Sequence, residues 1–159
     1  MSELGKQSVE KTNRRSIALM GKFVRNFDPK KRLTIPSVWR DALGPDLVYV
    51  VPDAQRRCLQ LIPREMMETR LAKYQELALA DPEINDALDA ISSTSEMVEF
   101  DVQGRIRIND ELLAFAGLKG SVLMKGNFRM ATLWPAEKES IGMEERVAKL
   151  GAAMAKLNF

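Results

Sequence analysis

The sequence predicts an α+β fold assembled from two similar halves, with helices between and after them. Three observations carry that expectation. The stretch FDPKKRLTIP (residues 27–36) returns 73 positions later as FDVQGRIRIN (residues 100–109), aligning Phe27 with Phe100, Asp28 with Asp101, Arg32 with Arg105 and Ile35 with Ile108. Each copy lies in the same succession of strand, turn, strand, short helix, strand, turn and strand. The remaining segments place apolar residues at intervals of three and four, the spacing of one helical face. A chain of 159 residues, 45% of them hydrophobic, supplies a core for two such halves.

Taken in chain order, residues 1–16 are polar and charged without periodicity and read as a flexible basic tail. The twin arginine Arg14-Arg15 introduces an apolar run that ends at Lys22 after six residues, short of the roughly 7–15 of an export signal. It reads instead as the approach to a strand. The first half is expected over residues 17–63, with a helix in PSVWRDALG ending at Gly44 and apolar strands in DLVYVV and LQLIP, closed by Pro63. Linking helices fill 64–94. Met67, Leu71, Tyr74 and Ala78 mark one buried face, Asp81-Pro82 puts proline at a first helical position, and Ile84, Leu88 and Ile91 form a second stripe.

The second half, 95–135, repeats the pattern with NDELLAFAG ending at Gly117, then SVLMK and ATLWP, closed by Pro135. Residues 136–159 carry a third stripe, Met143, Val147, Leu150, Met154 and Leu157. All three stripes are expected to pack on the sheet or on a neighbouring subunit rather than to hold a cofactor.

Composition removes most catalytic chemistry. The chain has no histidine, which excludes His-based triads and His-containing zinc sites. Its one cysteine, Cys58, forms no internal disulfide and reads as a small apolar strand residue, which suits a reducing cytoplasm. No Gly-rich phosphate loop occurs, and paired carboxylates remain only a formal route to hydrolysis. No enzyme, catalytic residue, metal, cofactor or small-molecule substrate is expected, and no segment approaches the roughly 18 apolar residues of a membrane span.

Charge is unevenly spread. Residues 1–40 hold ten Lys/Arg against three acids, whereas residues 64–101 hold ten acids against three bases. Taken alone, this favours a basic tail followed by solvated acidic helices over a phosphate-seeking face.

The repeated turn tips that balance. Asp101-Val-Gln-Gly104 reads as a type I turn whose fourth residue is left-handed, with Asp101 accepting from turn amides and Gly104 tolerating the positive φ. Ile106 and Ile108 then point to the core, with Arg105 and Arg107 outward. In the first copy Pro29 suits the second turn position, Leu33 and Ile35 face inward, and Arg32 and Thr34 outward. Lys31 stands where the second copy has Gly104, at a left-handed cost of order 1–2 kcal/mol. An arginine fixed by a carboxylate is a preorganised fork for phosphate oxygens or a guanine edge. Lys30, Lys31 and Arg32 make the first turn the stronger phosphate candidate.

From about Met20 to Trp134 the chain resembles the MraZ family of regulators, above all in FDPKKRLTIPSVWR and FDVQGRIRINDELLAFAGLKGSVLMKGNFRMATLW. The resemblance implies a swapped-hairpin, AbrB-like β-barrel made by two pseudo-symmetric halves, with peripheral helices and assembly into a ring homo-oligomer. It implies sequence-specific binding of double-stranded DNA, at promoter repeats of the division and cell-wall gene cluster, by Asp28 with Arg32 and Asp101 with Arg105. The chain departs from the family pattern in Lys31, which replaces a glycine, in Asn109, which replaces a proline or small residue, and in a long N-terminal extension. The full expected contact set is Asp28, Lys30, Lys31, Arg32, Asp101, Gly104, Arg105 and Arg107, in a cytoplasmic, nucleoid-associated protein. The alternatives are an oligomeric protein-interaction scaffold and an antitoxin-like AbrB module whose C-terminal helix wraps a toxin.

Overall fold

The computed structural model describes residues 18–159 apart from Pro45 and Ser140. The tail expected over residues 1–16, with Arg14 and Arg15, lies outside the described residues. The fold is mixed α+β, with an antiparallel sheet and five helices among the described residues.

Strands β1 (Lys22–Asn26) and β2 (Leu33–Thr34) precede the helix α1 (Ser37–Leu43), followed by β3 (Leu47–Asp53) and β4 (Cys58–Pro63). Two longer helices come next, α2 (Arg64–Ala78) and α3 (Pro82–Thr94). Then β5 (Glu96–Glu99), β6 (Arg105–Ile106), α4 (Asp110–Ala116), β7 (Ser121–Gly126) and β8 (Ala131–Pro135) run in the order of the first five elements. A 3₁₀ turn, Ala136–Glu139, leads to α5 (Met143–Lys156).

Caps explain where the helices begin and end. Asp81 accepts from the Glu83 amide at 3.0 Å with Pro82 in the first turn, which starts α3. Asn109 accepts from the Leu112 amide at 2.9 Å and starts α4. At its far end the Gly117 and Leu118 amides reach back to the Ala114 and Leu113 carbonyls, a Schellman closure that the left-handed Gly117 (φ 65) permits.

Pairing interleaves the chain. Six strands form one sheet in the order β1-β7-β8-β4-β3-β5, and β2 pairs with β6 in a separate ribbon. Apart from the hairpins β3–β4 and β7–β8, every pairing joins an early strand to a late one: β1 to β7, β3 to β5, β4 to β8 and β2 to β6. The Phe27 amide donates to the Gly120 carbonyl at 3.0 Å, and the Phe100 amide donates to Asp46 at 2.9 Å.

The expected closed barrel is not formed, because β1 and β5 remain the edges of the sheet. The reason is local: Pro36 and Asn109 start helices two and three residues after Thr34 and Ile106, leaving β2 and β6 two residues each. Strands that short cap the sheet without bridging its edges.

One hydrophobic core joins these layers. It contains Leu33, Ile35, Ile106 and Ile108 from the ribbon segments, Trp39 and Leu43 from α1, Leu112, Leu113 and Ala116 from α4, and the inward residues of the sheet. Thus all four ribbon aliphatics point as alternation requires. Cys58 is a buried strand residue in β4. Trp39 is fully buried, meets Phe23 edge-on at 5.2 Å and donates its Nε1–H to the Met20 carbonyl at 2.8 Å.

The helical stripes behave differently. In α2, Met67, Leu71 and Ala78 are half-buried and Tyr74 is exposed, so the expected buried face is only partly covered by β3, β4 and α3. The α5 stripe does not pack on the sheet: Met143, Val147, Leu150, Met154 and Leu157 are between 39% and 74% exposed. Spacing identifies the residues that share a face but not what the face meets.

Trp39→Ala removes a large buried ring and its hydrogen bond, and we predict a loss of about 3–5 kcal/mol in urea unfolding. A loss below about 1 kcal/mol would show that the ring does not anchor α1.

Candidate nucleic-acid interface

Both repeated turns are built around one carboxylate. Asp28 Oδ1 accepts from the Lys30 amide at 3.0 Å and the Arg32 amide at 2.7 Å, while Oδ2 accepts from Arg32 Nε at 2.6 Å. The Asp28 carbonyl accepts from the Lys31 amide at 2.9 Å, and the Asp28 amide donates to the Arg32 carbonyl at 2.9 Å. In the second turn, Asp101 Oδ1 accepts from the Gln103 and Arg105 amides, both at 2.9 Å, and Oδ2 accepts from Arg105 Nε at 2.7 Å. Gly104 and Arg105 complete the same pair of backbone bonds. The turns also share their left-handed residue, Lys31 at φ 59 and Gly104 at φ 75. Each clamp uses only Nε of a guanidinium with five donors, so the terminal nitrogens of Arg32 and Nη2 of Arg105 are left for an outside acceptor.

Topology brings these turns side by side. The β2–β6 register sets Thr34 opposite Arg105, and the Ile35 amide donates to the Gly104 carbonyl at 3.1 Å. Arg105 Nη1 lies 3.8 Å from Asp28 Oδ2, so the second arginine also feels the first carboxylate. Arg32 and Arg105 are partly exposed at 31% and 22%, positions that fix a side chain while leaving it reachable.

Electrostatics favour the charged clamps. Partial burial opposes the charge on Asp28, but the amide and guanidinium of Arg32 and the Lys30 amide outweigh it and hold the carboxyl below its ordinary value. For Asp101 the Arg105 amide is the leading cause, opposed by desolvation and reinforced by the Arg105 side chain and the Gln103 amide.

The other expected residues sit around this pair. Lys30 is exposed at the tip and makes no ion pair among the described residues. Lys31 Nζ reaches Asp110 Oδ1 at 3.3 Å, and Arg107 Nη2 meets the same oxygen at 2.9 Å. Arg107 also donates through Nη1 to the Ile108 carbonyl. It is therefore folded back on the start of α4 rather than projecting beside Arg105.

Two residues in this neighbourhood escaped the sequence reading. Asp110 links the first turn to Arg107, and its carboxyl is held low first by the Arg107 side chain and then by Lys31. Arg40 donates Nε to the Ile35 carbonyl at 3.1 Å and lies against Gly104, where an added Cβ would fall 2.1 Å from the guanidinium carbon. Gly104 therefore serves both the turn and the seating of Arg40. Only the approach of helix starts to the opposite turn reveals either residue, and neither sits within the Asp-x-x-x-Arg spacing.

Asp53 builds a third, similar clamp, accepting from the Gln55 and Arg56 amides at 3.0 Å and from Arg56 Nε at 2.7 Å. It lies at the other end of β3 from the Asp101 turn. The clamp by itself is thus a hairpin device; the distinctive arrangement is two clamps side by side.

Comparison with known proteins shows the family of the chain. The transcriptional regulator MraZ of Thermomicrobium roseum is 30% identical over 137 residues, covering 86% of this chain and 94% of that protein. This chain belongs to the MraZ family. The MraZ transcriptional regulators of Corynebacterium efficiens and Christiangramia forsetii are 28% and 26% identical, over 84% and 81% of this chain and 92% and 85% of theirs. No family model matches the chain.

This MraZ-family chain carries no group of three or more potential metal ligands among its described residues, and none of its described helices is long and apolar enough to cross a membrane.

The left-handed Lys31 leads to a direct test. Lys31→Gly relieves backbone strain at the loss of an exposed ion pair, and we predict a stability gain of roughly 0.5–1 kcal/mol in chemical denaturation. No gain would mean that the turn bears no such strain.

Acid titration supplies a second. Side-chain carboxyl NMR should place the midpoints of Asp28 and Asp101 below the ordinary 3.8. A depressed folded value means the clamps contribute fully above the unfolded pKa and lose that contribution as pH falls through the folded one. Midpoints at or above 3.8 would remove the clamp as a charged interaction.

Proposed function

We propose that this chain is a sequence-specific DNA-binding transcriptional regulator whose paired Asp-clamped turns form the DNA-reading edge. The observation that carries the reading is the juxtaposition of Arg32 and Arg105, each fixed by its own aspartate and coupled through Asp28. Two immobilised forks on one edge lose little side-chain entropy when they meet phosphate oxygens or guanine edges. Lys30 adds mobile charge at the tip and Lys31 adds a cation held by Asp110, both suited to the DNA backbone. In this reading Asp28, Asp101 and Gly104 shape the turns, and Arg107 is a supporting cation.

Family membership supports the regulatory role, since the relatives are named transcriptional regulators. The cross-paired strands support a swapped-hairpin, AbrB-like relationship between two pseudo-symmetric halves, 17–63 and 95–135, with an open sheet in place of a closed barrel. Residues 64–94 supply the linking helices, and 136–159 the C-terminal helix. The target is the promoter of the division and cell-wall cluster, including this protein's own gene, and the site of action is the nucleoid.

One protomer offers few cations, so tight binding requires repetition. A ring-shaped homo-oligomer engaging several short DNA elements gains affinity through effective concentration. Residues Met20, Val24, Leu79, Met97 and the α5 stripe, all apolar and exposed, support assembly.

Fluorescence anisotropy with the DNA immediately upstream of this gene, across a salt series, tests the reading. Arg32→Ala and Arg105→Ala should each weaken specific binding by roughly 5- to 150-fold, the range that about 1–3 kcal/mol represents. Affinity should rise with the number of DNA repeats. A folded wild type that does not bind, or folded variants that bind unchanged, would overturn the assignment.

A further inference from the structure

The contact of Lys31, Asp110 and Arg107 breaks the symmetry of the two halves at the edge proposed for DNA. A shift of 73 positions carries Gly104 onto Lys31, Arg107 onto Thr34 and Asp110 onto Ser37. Three charged residues around one turn therefore correspond to three uncharged ones around the other. In space a single carboxylate oxygen holds both cations: Asp110 Oδ1 lies 3.3 Å from Lys31 Nζ and 2.9 Å from Arg107 Nη2. All three side chains are exposed, between 40% and 67%, so a ligand can reach each of them.

Asp110 differs from the clamp aspartates in what it holds. Asp28 and Asp101 bind turn amides and Nε, which orients each guanidinium and leaves Nη2 for a ligand. Asp110 takes the outermost donors, Nζ of Lys31 and Nη2 of Arg107, which are the atoms a phosphate oxygen would need. The remaining terminal nitrogen of Arg107 is turned to the Ile108 carbonyl. Charge makes this capture consequential. Each clamp is a neutral pair, so the positive charge of the edge comes from Lys30, Lys31, Arg40 and Arg107, and Asp110 offsets one of these four. Its carboxyl is held below the ordinary value by Arg107 first and then Lys31, so it is ionised at neutral pH.

We propose that Asp110 is an intramolecular competitor of the DNA phosphates, which holds Lys31 and Arg107 in reserve and lowers the affinity of this edge for DNA of any sequence. Asp110 is a positioning residue, acting through the two cations. A phosphate that takes either cation gains that attraction less the ion pair given up. The arginine forks are untouched by the exchange, so Asp110 adjusts how tightly and how salt-dependently the protein binds rather than which bases it prefers. This inference rests on the DNA-binding reading above and names a residue that regulates it.

The test is fluorescence anisotropy of the full chain with the upstream DNA and with a scrambled duplex of equal length, across a salt series. Asp110→Asn should tighten binding to both by roughly 2- to 30-fold per engaged protomer, the range that two released surface ion pairs represent. The slope of log affinity against log salt should steepen by about one to two. Asp110→Ser, which installs the residue of the first half at this position, should do the same, with circular dichroism to establish folding. Glu111→Gln removes an equal charge one residue along the helix and should change binding less than about 2-fold. Lys31→Gln and Arg107→Gln should each weaken binding less in the wild type than in the Asp110→Asn background, where both cations are released; a double-mutant cycle reads the difference.

Unchanged affinity and slope in folded Asp110→Asn and Asp110→Ser, or an equal gain from Glu111→Gln, would overturn the proposal and leave the DNA-binding reading standing. Weaker binding by both Asp110 variants would also overturn it, making Asp110 a support of the turn. A wild type that binds neither duplex would remove both readings.

Discussion

The structure around the candidate interface depends on one carboxylate in each turn accepting three hydrogen bonds. Asp28 and Asp101 each bind two turn amides and an arginine Nε. That triad fixes where the return strand starts, and the start decides the face on which every later residue falls. With Arg32 and Arg105 set outward, Leu33 and Ile35, and likewise Ile106 and Ile108, must point inward. All four are fully buried. Burying them in one shared core is what holds β2 against β6 and thereby sets the two turns side by side. A slip of one residue in either turn would exchange the arginines with the core aliphatics.

These clamps contribute geometry more than stability. Their partners are partly exposed, and water screens such ion pairs to a small net value. The aspartates are nevertheless held in the charged form by hydrogen bonds that exist only in the folded turn. The guanidiniums are therefore presented in one orientation before any ligand arrives, which lowers the ordering cost of a contact. Asp53 and Arg56 show the same chemistry at an isolated hairpin, so a clamp alone specifies a turn and proximity of two clamps specifies a surface.

Local chemistry was legible in the sequence where it depended on near neighbours. The type I turn with a left-handed fourth position follows from Asp101 and Gly104, and its first-copy counterpart placed Lys31 in the same strained region, where it stands at φ 59. Proline after Asp81 and glycine at 117 marked a helix start and a helix stop. What depended on distant neighbours was not legible. Arg40 lies against Gly104 only because α1 crosses the opposite turn, and Asp110 meets Lys31 across 79 positions. The open sheet has a similar origin, since strand length was set by helix starts at Ser37 and Asp110 rather than by the apolar alternation. Helical spacing identified the α5 seam, yet its exposure is a tertiary fact.

The charge distribution links these two levels. The basic residues at 30–32 and the acidic residues of α3 belong to different surfaces of the fold, one at a turn tip and the other beside an apolar groove. A protomer that brings Lys30, Lys31, Arg32 and Arg105 to DNA neutralises about four phosphates at most, and the counterion contribution grows only with that number. Enlarging the basic patch would raise affinity for all DNA equally, eroding the distinction between specific and non-specific sites. Repeating a small patch at a fixed spacing raises affinity chiefly for DNA whose elements share that spacing. On the proposed DNA-binding reading, a chain with a net charge of only +2 and two rigid arginines per protomer would gain discrimination more effectively by multiplying protomers than by adding cations.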